Sequence, residues 1–410
     1  MLIRIAWRNL GRGWRRSALV LSSVALGLAA TVVMLAWVQG LSRQMIETPV
    51  RIALGHIAIH AQGYYKDPDV ATNLDVHEDR LLELGSSANE GRASARLRAE
   101  GLVQTARKTV RANVIGVEPA NEARVSSVPG SLVEGSFLEQ PATGRGLPGV
   151  VIGAEMAEQL KVQLGDKVVL RVAGEAGLGA FRVAGIFNTG SVGFDRTGVY
   201  IRLDRARTLT GVAGATEISL FLTQPKRLPQ VLESLRGAVE ADFGPGVFEV
   251  LSWAERETRL AYMIELAGQM SWTLYVIVYV ATAFGIANAV LMSVFERIRE
   301  FGLLRSMGLR GSRVVVMVLL EALFLTGLGS LIGVSIAFGV ASWLGCVGID
   351  LSAWSEGMAA MGTGSVIYPR VSVSELWTPI WLGVVTALLS GLWPAQKAAR
   401  IRPAEAMRAT

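Results

Sequence analysis

The chain has 410 residues, of which 51% are hydrophobic and 18% are charged, with a formal net charge of +6 and a mean hydropathy of +0.40. This composition is too apolar for an ordinary soluble protein and too charged for a chain lying wholly in lipid. It predicts a membrane protein with a large water-exposed part. With one cysteine, Cys346, an intramolecular disulfide is excluded.

Positive charge is concentrated in three short segments. Five arginines lie in residues 1–16, five lie in 296–313, and four Lys or Arg residues follow Trp393. Basic segments beside apolar runs are typical of the cytoplasmic side of a membrane. The charge pattern therefore predicts a topology and requires no nucleic-acid partner.

Four apolar runs predict four transmembrane α-helices, since each is long enough to cross a hydrocarbon core about 30 Å thick. Their predicted bounds are 17–42, 265–295, 314–345 and 376–396. The first run is longer than the apolar region of a signal peptide, so it is interpreted as an uncleaved span. The charge bias predicts a cytoplasmic N-terminal helix at 1–16, an extracytoplasmic loop at 346–375 and a cytoplasmic tail at 397–410.

Residues 43–264 have a soluble composition and predict a large α+β extracytoplasmic domain inserted between transmembrane helices 1 and 2. Strands are predicted at 56–60, 167–172, 180–187 and 198–203, and helices at 79–84, 153–161, 204–210 and 228–241. The predicted division is one subdomain of 43–115 with 201–264, and a second of 116–200. Residues 253–267 have a helical pattern that leads into the second span.

Two polar residues lie at membrane depth, where unpaired polar groups are costly. Asn288 is expected to hydrogen-bond a neighbouring helix, and Glu321 is expected to pair with an arginine of the cytoplasmic side. Small residues four apart allow helices to pack closely, either within the chain or between subunits. These stripes are Ala281, Gly285 and Ala289 in the second span, and Gly329, Gly333 and Ala337 in the third.

Motifs for catalysis and nucleotide binding are absent from the sequence. There is no G-x-x-x-x-G-K-[ST] and no G-x-S-x-G, and residues 144–149 match G-x-G-x-x-G but contain Pro148 and follow no predicted strand. His56 and His60 would lie about 13 Å apart on one strand, too far to bind one metal ion. The sequence therefore predicts a chain that is not an enzyme and holds no metal.

The segment 296–313 has two interpretations. It is either a solvated basic loop that sets topology or an amphipathic helix that docks on a cytosolic partner. Ile298, Phe301 and Leu304 are three residues apart and share one face of a short helix. Gly308 can end that helix.

Three stretches carry a family resemblance. They are AWRNLGRGWRRSALVLSSVALG from Ala6, SVFERIREFGLLRSMGLRGSRVVVMVLLEAL from Ser293 and GLWPAQKAARIRPAEAMRA from Gly391. On these residues the whole chain resembles the four-span ABC-transporter permeases of the macrolide-exporter, FtsX and lipoprotein-releasing type. GHIAIHAQGYYKDPD and FRVAGIFNTGSVGFDRTGVYIRLDRA are most similar to the lipoprotein-releasing branch.

The resemblance implies a permease in the bilayer of a bacterial inner membrane, with cytoplasmic termini and a periplasmic α+β domain. It implies a second permease, the same or a related chain, and a cytosolic ABC ATPase dimer that holds the ATP and Mg, so that this chain has no cofactor. It implies a coupling helix at about 297–308 that seats on the ATPase. The residues of this helix are Arg297, Ile298, Glu300, Phe301, Leu304, Arg305, Met307 and Gly308.

The lipoprotein-releasing branch also implies a loop that recruits a periplasmic lipoprotein carrier, with an ordinary hairpin loop as the alternative. The residues of this loop are Asn188, Thr189, Gly190, Phe194, Asp195 and Arg196. The implied function is extraction of lipoproteins from the outer leaflet of the inner membrane. The alternatives are a permease that exports drugs, peptides or glycolipids, and a mechanotransmitter that regulates cell-wall hydrolases.

Overall fold

The structure is a computed structural model that describes residues 14–89, 92–138, 146–172, 177–354, 357 and 366–400. The chain divides into two compact units. A helical unit lies within 1–42, 265–350 and 366–410, and an α/β unit within 43–264 and 351–365. Most of the predicted N-terminal helix 1–16 and the end of the predicted tail, 401–410, fall outside the described residues.

Within the described residues four helices are long and apolar enough to cross a membrane, which confirms the four predicted spans. These helices are Trp14–Pro49, Thr258–Glu296, Gly311–Val347 and Trp377–Arg400. A π-helical turn, Val50–Leu54, extends the first. The fourth helix runs to Arg400. The sequence analysis assigned residues 397–400 to a cytoplasmic tail, whereas they belong to this helix. The short helix Ile298–Ser306, called the connecting helix below, joins the second and third spans.

Small residues let the first and third spans approach closely. A Cβ on Gly333 would lie 2.4 Å from the carbonyl oxygen of Ala25, and one on Gly329 would lie 2.9 Å from Val24 Cγ1. The third-span stripe is therefore used for packing within the chain. Gly285 of the second-span stripe is exposed in this single chain.

Asn288 corrects one expectation. Its side chain is exposed, and no hydrogen bond joins it to another residue in the described part of the chain. The face of the second span that carries Asn288 is turned away from the chain's own helices, whereas Ile286 and Val290 beside it are buried. The predicted hydrogen bond to a neighbouring helix is therefore not formed among the described residues of this chain.

Ten strands of the α/β unit form one sheet. They are β1 Ile57–Ala61, β2 Ala93–Gln104, β3 Thr109–Val117, β4 Leu132–Gly135, β5 Gly149–Gly153, β6 Lys167–Val172, β7 Leu178–Phe187, β8 Gly198–Arg202, β9 Glu217–Leu220 and β10 Phe248–Ser252. The order is β10-β1-β9-β2-β3-β8-β5-β7-β4, with β6 paired to both β2 and β7. Pairing is antiparallel except for β3 with β8 and β5 with β7. A separate two-stranded sheet of the helical unit pairs β11 Ile349–Asp350 with β12 Val366–Ile367.

Seven helices accompany the described strands of this sheet, and two of them, Pro119–Val125 and Val192–Thr197, were not predicted. They are Glu78–Ala88, Pro119–Val125, Ala154–Leu160, Val192–Thr197, Leu203–Thr210, Leu228–Phe243 and Trp253–Arg256. The mixture of strands and short helices confirms the predicted fold class. The helical pattern predicted over 253–267 is divided, because the helix Trp253–Arg256 ends at Glu257 and the next begins at Thr258.

The continuous sheet corrects the predicted division into two subdomains. Strand β2, from the first predicted part, pairs with β6 from the second, and β3 pairs with β8 over Asn113–Val117. These hydrogen bonds join the edge strands of the two predicted parts. The backbone N–H and C=O groups of the edge strands are paired by this contact, as buried backbone groups require. Residues 43–264 therefore belong to one compact unit.

Candidate functional site

The connecting helix begins and ends at residues with irregular backbone. The second-span helix ends at Glu296, and Arg297, with φ −111° and ψ 19°, turns the chain into Ile298–Ser306. After Met307 the chain passes through Gly308 at φ +91°, in the left-handed region that favours glycine. Gly308 thus ends the helix as the sequence predicted.

One face of the connecting helix is buried against its own helical bundle. Phe301 is 1% exposed and lies in a core cluster with Val294, Val314 and Val318, and Leu304 packs against the same cluster. The stripe of Ile298, Phe301 and Leu304 was expected to face a partner. Phe301 and Leu304 instead face inward and pack against the adjoining spans, and Ile298 is half-buried.

Arg297 connects the start of this helix to the third span. Its Nη1 donates to Glu321 Oε2 at 3.1 Å and its Nε donates to Glu300 Oε2 at 2.8 Å. The guanidinium also lies 5.2 Å from the ring centroid of Phe301. Glu321 accepts a second hydrogen bond from Ser293 Oγ at 3.2 Å. The prediction that Glu321 pairs with an arginine near the end of the spans is confirmed.

Arg305 connects the other end of the connecting helix to the fourth span. Its Nη1 donates to the carbonyl oxygen of Ala399 at 2.7 Å. Carbonyls in the last turn of a helix have no partner inside the helix, so an arginine is well suited to bind one. The connecting helix is thus held to the third span by Arg297 and to the fourth by Arg305.

The outward face of the connecting helix is apolar and basic. Leu303 is 56% exposed and Met307 is 70% exposed, and Arg310 and Arg313 are exposed just beyond the helix. The sequence analysis did not select Leu303. Its spacing of four residues from Met307 is the signal that places both on one face.

The second candidate, residues 188–196, is an ordered turn. Asp195 is 2% exposed, and its carboxylate accepts hydrogen bonds from Thr189 Oγ1 at 2.6 Å and from the Thr189 backbone N–H at 3.1 Å. Phe194 packs with its ring centroid 5.8 Å from that of Phe187 and 6.4 Å from that of Tyr200. Phe194 and Asp195 therefore hold the turn in shape and face the interior.

This turn is not a hairpin. It contains the helix Val192–Thr197, and the strands on either side, β7 and β8, are separated in the sheet by β5. The hairpin alternative is therefore wrong, because a hairpin requires its two strands to pair directly. Among the predicted loop residues, Asn188, Gly190 and Arg196 are exposed.

The side chains of His56 and His60 each form a hydrogen bond with the backbone of the α/β unit. His60 Nδ1 lies 3.2 Å from the carbonyl oxygen of Thr216, and His56 Nδ1 accepts from the backbone N–H of Leu222 at 3.0 Å. Both side chains are buried. Within the described ranges no cluster of three His, Cys, Asp or Glu residues has the geometry to hold a metal ion.

Two family models match the chain. A MacB-like periplasmic core domain matches residues 17–238, and an FtsX-like permease C-terminal model matches residues 272–403. The first model covers more than half of the chain, and the second covers the connecting helix with the third and fourth spans.

Relatives of two kinds match at similar identity. The lipoprotein-releasing system transmembrane protein LolC of Neisseria meningitidis serogroup B is 23% identical over 95% of this chain and 92% of its own length. The macrolide export ATP-binding/permease protein MacB of Bdellovibrio bacteriovorus is 24% identical over 96% of this chain and 59% of its own length. The chain thus spans nearly the whole of the first relative and little more than half of the second.

A solved structure also resembles part of the chain. The periplasmic region of MacB from Actinobacillus actinomycetemcomitans is 13% identical, with a TM-score of 0.37, over 53% of this chain and 97% of that one. The family assignment comes from the two sequence models and from the four spans in the matching order. The chain belongs to the ABC transporter permeases of the MacB, FtsX and LolC type.

Proposed function

We propose that this permease receives movement from a separate cytosolic ATPase dimer at the connecting helix and transmits it to its α/β unit on the periplasmic side. ATP and Mg bind to the ATPase, and this chain supplies no catalytic group. The termini are cytoplasmic, the membrane is the bacterial inner membrane, and a second permease of the same or a related sequence completes the assembly.

The observation that carries this proposal is the arrangement of the connecting helix. Arg297 and Arg305 tie it to the third and fourth spans, while Leu303 and Met307 are exposed on its other face. A helix held rigidly on one side and apolar on the other is suited to accept a partner and pass its movement to the spans. The basic residues Arg310 and Arg313 beside it fit the cytoplasmic side.

The proposed cargo is a lipoprotein of the outer leaflet. The support is the match with LolC along nearly the whole length of both chains. The exposed residues Asn188, Gly190 and Arg196 are the proposed contact for a soluble lipoprotein carrier. The second candidate is export of a small amphiphile, which the match with MacB at 24% identity favours.

Docking is tested by co-expressing the permease with its cytosolic ATPase and measuring how much ATPase co-purifies. Leu303→Asp and Met307→Asp place a carboxylate on the outward face, and we expect each to reduce ATPase recovery at least tenfold. The matched control is Leu178→Asp, which changes an equally exposed leucine of the α/β unit and should leave recovery unchanged. Full recovery with both outward-face variants would contradict the proposed docking surface.

The cargo is tested by depleting the chain in cells. For lipoprotein extraction, we expect lipoproteins to accumulate in the inner membrane of spheroplasts while the efflux of macrolides and dyes stays normal. Reduced efflux with normal lipoprotein release would favour the exporter function instead. Neither result bears on the docking test, so the two parts of the proposal fail separately.

A further inference from the structure

Buried charges lie side by side where strands β1, β2 and β9 meet in the α/β unit. Arg96 is 1% exposed and binds Glu122, which is 0% exposed, through two hydrogen bonds: Nη2 to Oε1 at 2.7 Å and Nε to Oε2 at 3.0 Å. Ser94 Oγ donates to the same carboxylate at 2.9 Å. The charge of Arg96 is thus balanced by Glu122.

A second buried carboxylate, Glu217, faces two more guanidiniums. Arg98 Nε lies 2.8 Å from Glu217 Oε1, and Arg256 Nη1 lies 3.7 Å from Glu217 Oε2. Both arginines also donate to backbone carbonyls, Arg98 to Ala53 and Arg256 to Leu54. Two positive groups share one carboxylate, so one positive charge is left over in this part of the described structure. The Arg256 side chain is 3% exposed, whereas that of Arg98 is 26% exposed towards solvent. A positive charge on a buried group is costly unless an anion balances it.

A cavity of about 380 Å³ opens beside these groups and is lined by His60, Tyr64, Arg98, Glu217 and Arg256. This volume is at the lower end of the range for small-molecule pockets. Two acidic residues at its edge are already engaged or open to solvent. Glu100 pairs with Arg111 at 2.9 Å, and Asp69 is exposed.

Three residues that line the cavity carry buried nitrogens without hydrogen-bond partners among the described residues: His60 Nε2, Arg98 Nε and Arg256 Nη1. His60 Nδ1 must carry the proton, because its neighbour at 3.2 Å is a carbonyl oxygen, which only accepts. His60 Nε2 is therefore an unused acceptor. It lies 3.9 Å from Glu217 Oε2, the same oxygen that lies 3.7 Å from Arg256 Nη1.

We propose that this cavity binds a small carboxylate with a hydroxyl or amino group on the adjacent carbon. The carboxylate pairs with Arg98 and Arg256 and balances the excess positive charge. The hydroxyl or amino group donates to His60 Nε2. The site belongs to the α/β unit and is independent of the ATPase docking surface.

The test is calorimetric titration of L-lactate into the full-length protein in detergent. We expect saturable binding of L-lactate and none of lactamide, which has the same shape without the charge. Arg98→Gln removes a charged hydrogen bond and should weaken L-lactate binding about tenfold or more. Arg227→Gln, which removes an exposed arginine outside the cavity, should leave it unchanged.

A second variant keeps the test of the cavity valid if Arg98→Gln does not fold. Asn113 lines the cavity and pairs with Glu100 on the face of the sheet that carries Arg98, so Asn113→Phe fills space without removing a charge and should abolish binding. An unfolding midpoint within a few degrees of wild type identifies the folded variants. Absence of saturable L-lactate binding would overturn the proposal. Equal binding of lactamide or of inorganic phosphate, or unchanged L-lactate binding by folded Asn113→Phe, would also overturn it.

Discussion

Arg297 Nη1 and Glu321 Oε2 lie 3.1 Å apart, and this ion pair links the residue before the connecting helix to the first half of the third span. The two side chains are 16% and 11% exposed. A carboxylate in a membrane span is tolerated where it is paired. The pair therefore explains both why Glu321 is found within an apolar run and why the connecting helix has a fixed position.

Arg297→Met should destabilise the protein strongly. In the described structure the variant leaves the Glu321 carboxylate with Ser293 as its hydrogen-bond partner, and breaking a buried pair costs about 3–5 kcal/mol. The double variant Arg297→Met with Glu321→Met should lose less stability than the sum of the single variants, by about 1 kcal/mol or more. Unfolding in detergent measures all three.

The control for this cycle is Arg313→Met, which changes an exposed arginine of the same segment. It should shift the free energy of unfolding by no more than about 0.5 kcal/mol. Strict additivity of the Arg297 and Glu321 variants would show that the ion pair does not hold the helix.

Phe301 and Leu303 should respond in opposite ways to truncation. Phe301→Ala removes a buried ring from the bundle core and should cost about 3–5 kcal/mol of unfolding free energy. Leu303→Ala changes an exposed side chain and should cost about 0.5 kcal/mol or less, although it should weaken ATPase recovery. The thermal unfolding midpoints of the two variants measure this difference in stability. Equal midpoints would contradict the assignment of inward and outward faces.

The spans could be predicted from the sequence, whereas the orientation of the connecting helix could not. A run of apolar residues identifies a span whatever lies around it. The sequence showed that Phe301 and Leu304 share a face, but which face turns inward depends on where the third span comes to lie. The same limit applies to Asn288, whose polar side chain is exposed because its helix face has no neighbour in this chain.

Strand β2 was missed for a different physical reason. Its sequence, ASARLRAEGLVQ, alternates apolar and polar residues from Ala93 to Glu100, but three of the four apolar positions are alanines, which are depleted in strands and give a weak strand signal. An arginine is almost never fully buried unless it is paired, and its partner Glu122 is distant in the sequence. The polar positions of β2 therefore suggest a solvent-exposed face, whereas Arg96 on that face is buried and paired with Glu122, which no motif of the sequence revealed.

Acidification should destabilise the α/β unit through His60. Burial lowers the pKa of the His60 imidazole from its ordinary 6.5 to about 4. The folded protein therefore keeps this group neutral at a pH where the unfolded chain protonates it, so stability is lost as the pH falls from about 6.5 towards 4. At pH 5 the loss from this residue is about 2 kcal/mol.

His60→Gln should flatten this dependence. The variant removes the titrating group, so its unfolding midpoint should fall less between pH 7 and pH 5 than that of wild type, whatever its stability at pH 7. His77→Gln changes an exposed histidine and should retain the wild-type slope. A wild-type slope in His60→Gln would assign the acid sensitivity to other groups.

The close contact of the first and third spans gives a test of their packing. A Cβ at Gly333 would lie 2.4 Å from the Ala25 carbonyl oxygen and 2.9 Å from its Cα, both backbone atoms that a side-chain rotation cannot move. Gly333→Ala must therefore push the two helices apart, at a cost of about 1–3 kcal/mol.

Gly339, six residues along the same helix, has no atom within 4 Å of its added Cβ in the described structure. Gly339→Ala should be neutral or stabilising by up to about 1 kcal/mol, since alanine favours the helix. Unfolding in detergent compares the two substitutions directly, and equal effects would show that the first and third spans do not touch at Gly333.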